Sequence, residues 1–271
     1  TGRTCAAPHD PRPDPHRRSR HFAMRYKIVI AYDGTDFFGW QIQPGFRTVQ
    51  QELGEALAPL SSDGLPVDVH GSGRTDAGVH ADGQVAHFDL PRVMAPVQLR
   101  RAINGRLPHR DVRVIAAEPV ADDFDARRGA IGKEYRYRIW NAEVLHPLRR
   151  RDCAHVVKPL ELEAMREGAA QFVGEHDFAA FTANPSRVVE STVRTIHALD
   201  VVQDGPLVEL RVSGNGFLYK MVRSIAGFLI AVGVGKEKPA AVTEVMDSRV
   251  RTARVESAPP QGLTLWRVWY S

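Results

Sequence analysis

The chain has 271 residues, 43% of them hydrophobic and 25% charged, as in a soluble globular protein with one large domain or two smaller ones. No apolar run reaches about 18 residues, which excludes a membrane-spanning helix. The only two cysteines, Cys5 and Cys153, exclude a disulfide framework, a four-cysteine zinc site and an iron–sulfur cluster, and fit a reducing cytoplasm.

Charge and composition divide the chain unevenly. The formal net charge is +4, but residues 1–23 carry five arginines and two aspartates, so only +1 remains for residues 24–271. This Pro-, His- and Arg-rich leader has no apolar periodicity and no secretory core, and disorder is expected there. Met24, just before the first strand, reads as a natural start. Of the 36 basic residues in the chain, 30 are arginine, whose planar fork suits phosphate. Solvated arginine faces read equally well at any single cluster.

Residues 25–32 alternate in Tyr, Ile and Val and read as a strand, turned by Asp33-Gly34. Phe37, Phe38 and Trp40 follow in a loop. Two readings fit them, a local aromatic core and base stacking, and the large area that aromatics bury favours the first. Thr48 and Gln51 have capping-box spacing ahead of an amphipathic helix over residues 49–60. Residues 67–69 and 84–90 read as strands, 96–104 as a helix and 112–120 as a strand. In the second half, strands are expected at residues 131–140 and 262–270, and a hairpin over 194–202 and 207–213 turns at Asp204-Gly205. Helices are expected at residues 159–172, 219–234 and 239–247, the second of them buried and interrupted by Gly227.

The stretch between the strands at 67–69 and 84–90 carries the most chemistry: His70-Gly71-Ser72-Gly73-Arg74-Thr75-Asp76-Ala77-Gly78-Val79-His80. Its glycines allow unusual backbone or close approach. Arg74 and Asp76 share a face if the segment is extended, and a carboxylate on such a loop can act as nucleophile or base. A plain glycine turn with a solvated ion pair fits the spacing equally well. Known templates fail here: Val79 stands where a phosphate-binding loop needs Lys, and position 76 is Asp where a dinucleotide loop needs Gly. Neither His70 nor His80 has metal-ligand spacing, and both, with His87, read as structural. A metal-dependent nuclease using Asp76, Asp82 and Asp89 remains an alternative. An RNA-binding module with RRM-like halves is another, although residues 213–218 do not match the RNP1 pattern.

Gly73-Arg74-Thr75-Asp76-Ala77-Gly78-Val79-His80 resembles the signature of the TruA-type tRNA pseudouridine synthases. Four further stretches match that family in the same order. They are Tyr32-Asp33-Gly34-Thr35 with Phe38-Gly39-Trp40-Gln41, then Lys133-Glu134-Tyr135-Arg136-Tyr137, then Asn215-Gly216-Phe217 with Met221-Val222-Arg223, and Gly262-Leu263. The resemblance implies an α+β fold: two related RRM- or ferredoxin-like halves, residues 24–130 and 131–271, joined in one wide, mainly antiparallel mixed sheet with the active cleft between them. It implies isomerisation of uridine to pseudouridine at one or more of positions 38, 39 and 40 of the tRNA anticodon stem-loop, with no cofactor and no metal. Asp76 is then the catalytic nucleophile. Arg74 helps hold or replace the displaced base, Tyr135 stacks on the target, Arg223 pairs with Asp76 and Leu263 lines the pocket. Read from the residues alone, Tyr135 fits an inward strand position beside Tyr137, and Leu263 fits core packing. A cytoplasmic homodimer that grips tRNA with both subunits is also implied.

Overall fold

The computed structural model describes residues 23–183 and 190–271. The disorder expected of the leader concerns residues outside this set, apart from Ala23. Among the described residues, ten strands form one sheet. In chain order the elements are β1 (Met24–Tyr32), α1 (Val49–Leu57), β2 (His70–Gly71), β3 (His80–Leu90), α2 (Pro96–Asn104), β4 (Val112–Pro119) and β5 (Ala130–Asn141). There follow β6 (Ala154–Val156), α3 (Leu162–Ala170), β7 (Gly174–Asp177), β8 (Val193–Asp204), β9 (Leu207–Gly214), α4 (Met221–Gly233), α5 (Ala241–Ser248) and β10 (Leu263–Tyr270).

The strand order is β4-β1-β3-β10-β5-β9-β8-β7, with β2 added to β3 and β6 to β5. Only β3 with β10 and β5 with β6 pair in parallel, so the sheet is mixed and mainly antiparallel, as expected. The last strand fills the centre: β10 joins β3 on one side through Thr264 and Leu265, and runs antiparallel to β5 on the other. Period-2 alternation sets the strand faces. Tyr26, Ile28, Ile30 and Tyr32 of β1 and Tyr135, Tyr137 and Ile139 of β5 are buried. One hydrophobic cluster runs from Tyr26 to Val268. α2 packs on β4, and α3 packs on α4 and β8. Among the described residues, no helix is long and apolar enough to cross a membrane.

Several local expectations are corrected. Residues 67–69 are not a strand; pairing begins at β2, because His70 and Gly71 are the residues that reach His87 and Ala86 of β3. β3 starts at His80, four residues earlier than expected, which puts His80 inside the sheet. The Thr48 capping box does not form. Backbone carbonyls of the preceding loop take the first helical N–H groups instead: Val49 donates to Gly39 (3.2 Å) and Gln50 to Trp40 (3.0 Å). Gln51 turns to Glu55, and the Thr48 hydroxyl is buried without a partner among the described residues. Nor does Gly227 interrupt α4, which is continuous. A Cβ at Gly227 would sit 2.1 Å from the Glu256 carbonyl, so the glycine lets that segment cross the helix closely.

The loop between β1 and α1 is built the same way. Phe37 and Trp40 are buried against Tyr32, with centroids 6.5 Å apart in both pairs. Gly39 has φ +88°, and a Cβ there would lie 2.5 Å from the Thr75 carbonyl, whereas Gly45 has φ +80° and open space around it. Both changes to alanine place a side chain in the left-handed region, at about 1–2 kcal/mol. Gly39→Ala should lose a further 1–3 kcal/mol or so through overpacking against the 75–77 segment. Urea melts of the two variants check this; equal losses would remove the close approach as the reason for Gly39.

Candidate active site

The loop from β2 to β3 is held from below by a buried polar network. Ser72 donates its N–H to the Val85 carbonyl (2.7 Å) and its hydroxyl to Gln84 Oε1 (2.7 Å). Gln84, fully buried, returns Nε2 to the Gly73 carbonyl at 3.0 Å. The Thr75 hydroxyl meets the Tyr32 hydroxyl at 2.8 Å, and the Thr75 carbonyl accepts from Trp40 N–H at 3.1 Å. Burial pushes the Tyr32 phenol up to about 12, so it stays protonated in this contact. His80 Nδ1 lies 3.0 Å from the Gly34 N–H and 3.2 Å from Asp33 Oδ1, and its Nε2 lies 3.1 Å from the Gln261 carbonyl. His87 Nδ1 accepts from the Ala126 N–H at 3.1 Å. With Ser72 and Thr75 turned inward, Arg74 and Asp76 line the cleft above.

That cleft has a volume of about 670 Å³ and lies between this loop, β5 and the start of α4. Asp76 Oδ2 accepts from Arg223 Nη1 at 2.9 Å, and the two side chains are only 19% and 11% exposed. Arg223 is fixed in turn: its Nε donates to the Ala258 carbonyl (2.8 Å), and Ala258 N–H donates back to the Arg223 carbonyl (2.9 Å). Asp76 Oδ1 has no hydrogen bond among the described residues. Tyr135 is buried in the floor, edge-on to Phe217 with centroids 5.2 Å apart. Burial raises its phenol well above the ordinary tyrosine range, and nearby Tyr32 and Asp76 add to the shift. Its hydroxyl has no hydrogen-bond partner among the described residues. Leu263 closes one side. All five residues singled out from the sequence, Asp76, Arg74, Tyr135, Arg223 and Leu263, therefore border one space.

The sequence reading missed other residues of the same wall. Lys133 lies two positions before Tyr135 on the same strand face, which was the available signal. Its Nζ donates to the Ser72 carbonyl at 2.8 Å and passes directly over Gly73, where a Cβ would approach it to 2.9 Å. Burial, with Arg127 nearby, lowers Lys133 to about 8. Arg127, Arg194, Lys220, Phe38 and Tyr219 also line the cleft. Asp76 is the only carboxylate among the described residues that do so, against six cationic side chains.

The nuclease alternative does not fit this geometry. Asp82 and Asp89 lie on β3 seven residues apart, roughly 23 Å along an extended strand, and Asp89 is held by a two-point contact to Arg25 at 2.8 Å. They cannot converge on Asp76.

Two measurements test the electrostatics. Breaking a largely buried pair strands one charge, at a cost of about 3–5 kcal/mol. Arg223→Met should destabilise by that order, and adding Asp76→Asn should recover much of the loss. Denaturant melts of the four proteins give the coupling, and additivity within about 0.5 kcal/mol would exclude a strong pair. For Lys133, the folded value of about 8 lies below the ordinary 10.5. Between those values the unfolded chain holds a proton that the folded chain lacks, so this group makes stability rise with pH. Wild type should gain on Lys133→Met between about pH 8 and pH 10.5 and not below; a constant gap would show that the amine titrates normally.

The comparisons bear out the family resemblance. A family model described as tRNA pseudouridine synthase matches residues 28–127 and 169–271. The chain is 44% identical over 247 residues to tRNA pseudouridine synthase A of Geobacillus kaustophilus, covering 91% of this chain and 95% of that protein. It is 44% identical to the Maridesulfovibrio salexigens protein of the same name, covering 91% and 90% of the two chains. With the Bacillus subtilis protein of that name the identity is 43%, covering 91% and 99%. Matches of this extent show that the chain belongs to the tRNA pseudouridine synthase family, whose members are isomerases.

Proposed function

We propose that this chain converts uridine to pseudouridine at one or more of positions 38, 39 and 40 of the tRNA anticodon stem-loop, with Asp76 as the catalytic carboxylate. The observation that carries this reading is the cleft itself: one carboxylate among six cationic side chains, above a buried tyrosine. Such a surface suits a polyanion that must deliver one nucleotide to one acid.

The reaction breaks the N1–C1′ bond, turns the base and forms C5–C1′; C5 loses its proton and N1 gains one. It involves no net redox change or group transfer. A base stacked in the stem-loop is out of reach, so the target nucleotide is flipped into the cleft. Arg223 holds Oδ2 of Asp76 and leaves Oδ1 for the substrate. A carboxylate in this position can attack C1′ or the base, or take the C2′ proton to give a glycal; the same residue serves all three routes. Tyr135 supplies a ring face for the uracil. Its raised pKa favours this contact over proton abstraction as a phenolate. Arg74, exposed on the cleft wall, helps hold or replace the displaced base, and Leu263 lines the pocket. We read the molecule as two related halves, residues 24–130 and 131–271, and the working form as a cytoplasmic homodimer.

Mapping pseudouridine in unmodified tRNA treated with the purified protein tests the reaction and its positions. Asp76→Asn should abolish turnover while tRNA binding persists, because phosphate contacts supply most of the affinity. A variant within about tenfold of the wild-type rate would remove Asp76 from the chemistry.

A further inference from the structure

Three aromatic side chains stand out as exposed among the described residues: Phe38 at 50%, Phe46 at 44% and Tyr219 at 43%. Aromatic rings usually bury their area, and the neighbours of Phe38 do so, with Phe37 at 3% and Trp40 at 2%. The three are not scattered. Phe38 and Tyr219 both line the cleft, and Phe46 backs Phe38 with centroids 4.2 Å apart.

Both rings are mounted rather than loose. The Phe38 N–H donates to the Arg47 carbonyl at 2.9 Å, and its carbonyl accepts from Gln43 Nε2 at 3.0 Å. The next residue, Gly39, packs against the backbone of Thr75 to Ala77, so Phe38 stands immediately beside the Asp76 segment. On the other wall, Tyr219 precedes Lys220, a non-glycine residue held at φ +56°. Left-handed backbone at such a residue is strained, and strain of this kind gathers at binding sites. It is held by the Ser224 N–H on the Lys220 carbonyl (2.9 Å) and the Ala183 N–H on the Tyr219 carbonyl (3.2 Å). Lys220 Nζ rides over the Tyr219 ring at 5.2 Å, giving an aromatic face with a cation attached. Arg223, the partner of Asp76, lies four residues further along the same chain segment. One ring thus stands beside the segment that carries Asp76, and the other on the segment that carries Arg223, and both line the same cleft.

Resting on the function proposed above, we propose that Phe38 and Tyr219 are stacking platforms for the nucleotides on either side of the flipped uridine. Extruding one base leaves both neighbours with an uncovered face. A mounted aromatic ring covers such a face whatever the base, because every base presents a π-surface. This fits a site that must accept varied sequence around its target uridine, and it assigns the two rings to positioning, distinct from the chemistry of Asp76.

The test uses the full chain and a stem-loop RNA carrying 2-aminopurine next to the target uridine, on one side or the other. Binding of wild type should quench the probe by stacking. Phe38→Leu and Tyr219→Leu keep apolar bulk and lose the ring. Each should weaken the quench on one side and raise KM about tenfold, with the loss falling on KM rather than kcat. Phe38→Trp and Tyr219→Phe should restore binding and quench. Leucine variants that bind and quench like wild type, or a Tyr219→Phe variant as weak as Tyr219→Leu, would overturn the proposal. The fluorescence titration needs no turnover. Stacking can therefore fail while wild type still forms pseudouridine, or hold while it does not, and the two readings stand or fall separately.

Discussion

The contact between Asp76 and Arg223 joins residues 147 apart in sequence, and the rest of the site depends on it. Neither charge is free to move: the loop under Asp76 is bonded through Ser72, Thr75 and Gln84, and the guanidinium is locked to Ala258. A carboxylate drawn largely out of water needs such a partner. The contact engages Oδ2 and leaves Oδ1 facing the cleft without a hydrogen bond among the described residues. The pair also ties the loop before β3 to the start of α4, so one bond joins two walls of the cleft.

That arrangement requires a rigid floor, and the position of β10 provides it. Without the last strand, β3 and β5 would be separate sheet edges with unpaired N–H and C=O groups. With it, the loop that bears Asp76 and the strand that bears Tyr135 belong to one hydrogen-bonded surface. Close backbone approach then replaces side-chain packing at the critical points. Gly34 and Gly39 let the β1–α1 loop lie against Val79 and Thr75, and Gly73 gives Lys133 its passage. Each of these glycines sits where a Cβ would strike backbone or a buried amine.

Electrostatics of the cleft follow from its near absence of acids. The chain outside its first 23 residues is almost neutral, yet the described wall of this space has six cations and one carboxylate. Positive charge is therefore local, and global charge says little about it. Burial acts on one of the cations: it lowers Lys133 to about 8, so this amine gives up its proton more readily than an exposed lysine.

The sequence by itself determined the elements whose period reports burial. The strands β1 and β5 and the apolar stripes of α1 and α3 were legible because each element carries its own record of one buried face. β6 and β7 were not, being three and four residues long with no such record. The five motif stretches named the family and gathered Asp76, Arg74, Tyr135, Arg223 and Leu263 before any geometry was available. Tertiary structure decided what depends on distant partners. The carbonyls of Gly39 and Trp40, rather than Thr48, cap α1. Lys133 reaches over Gly73, and Phe38 faces the cleft while Phe37 and Trp40 turn inward. A local pattern states that a residue has a buried or an open side; which atoms meet it there is fixed only when strands and loops far apart in the chain are brought together.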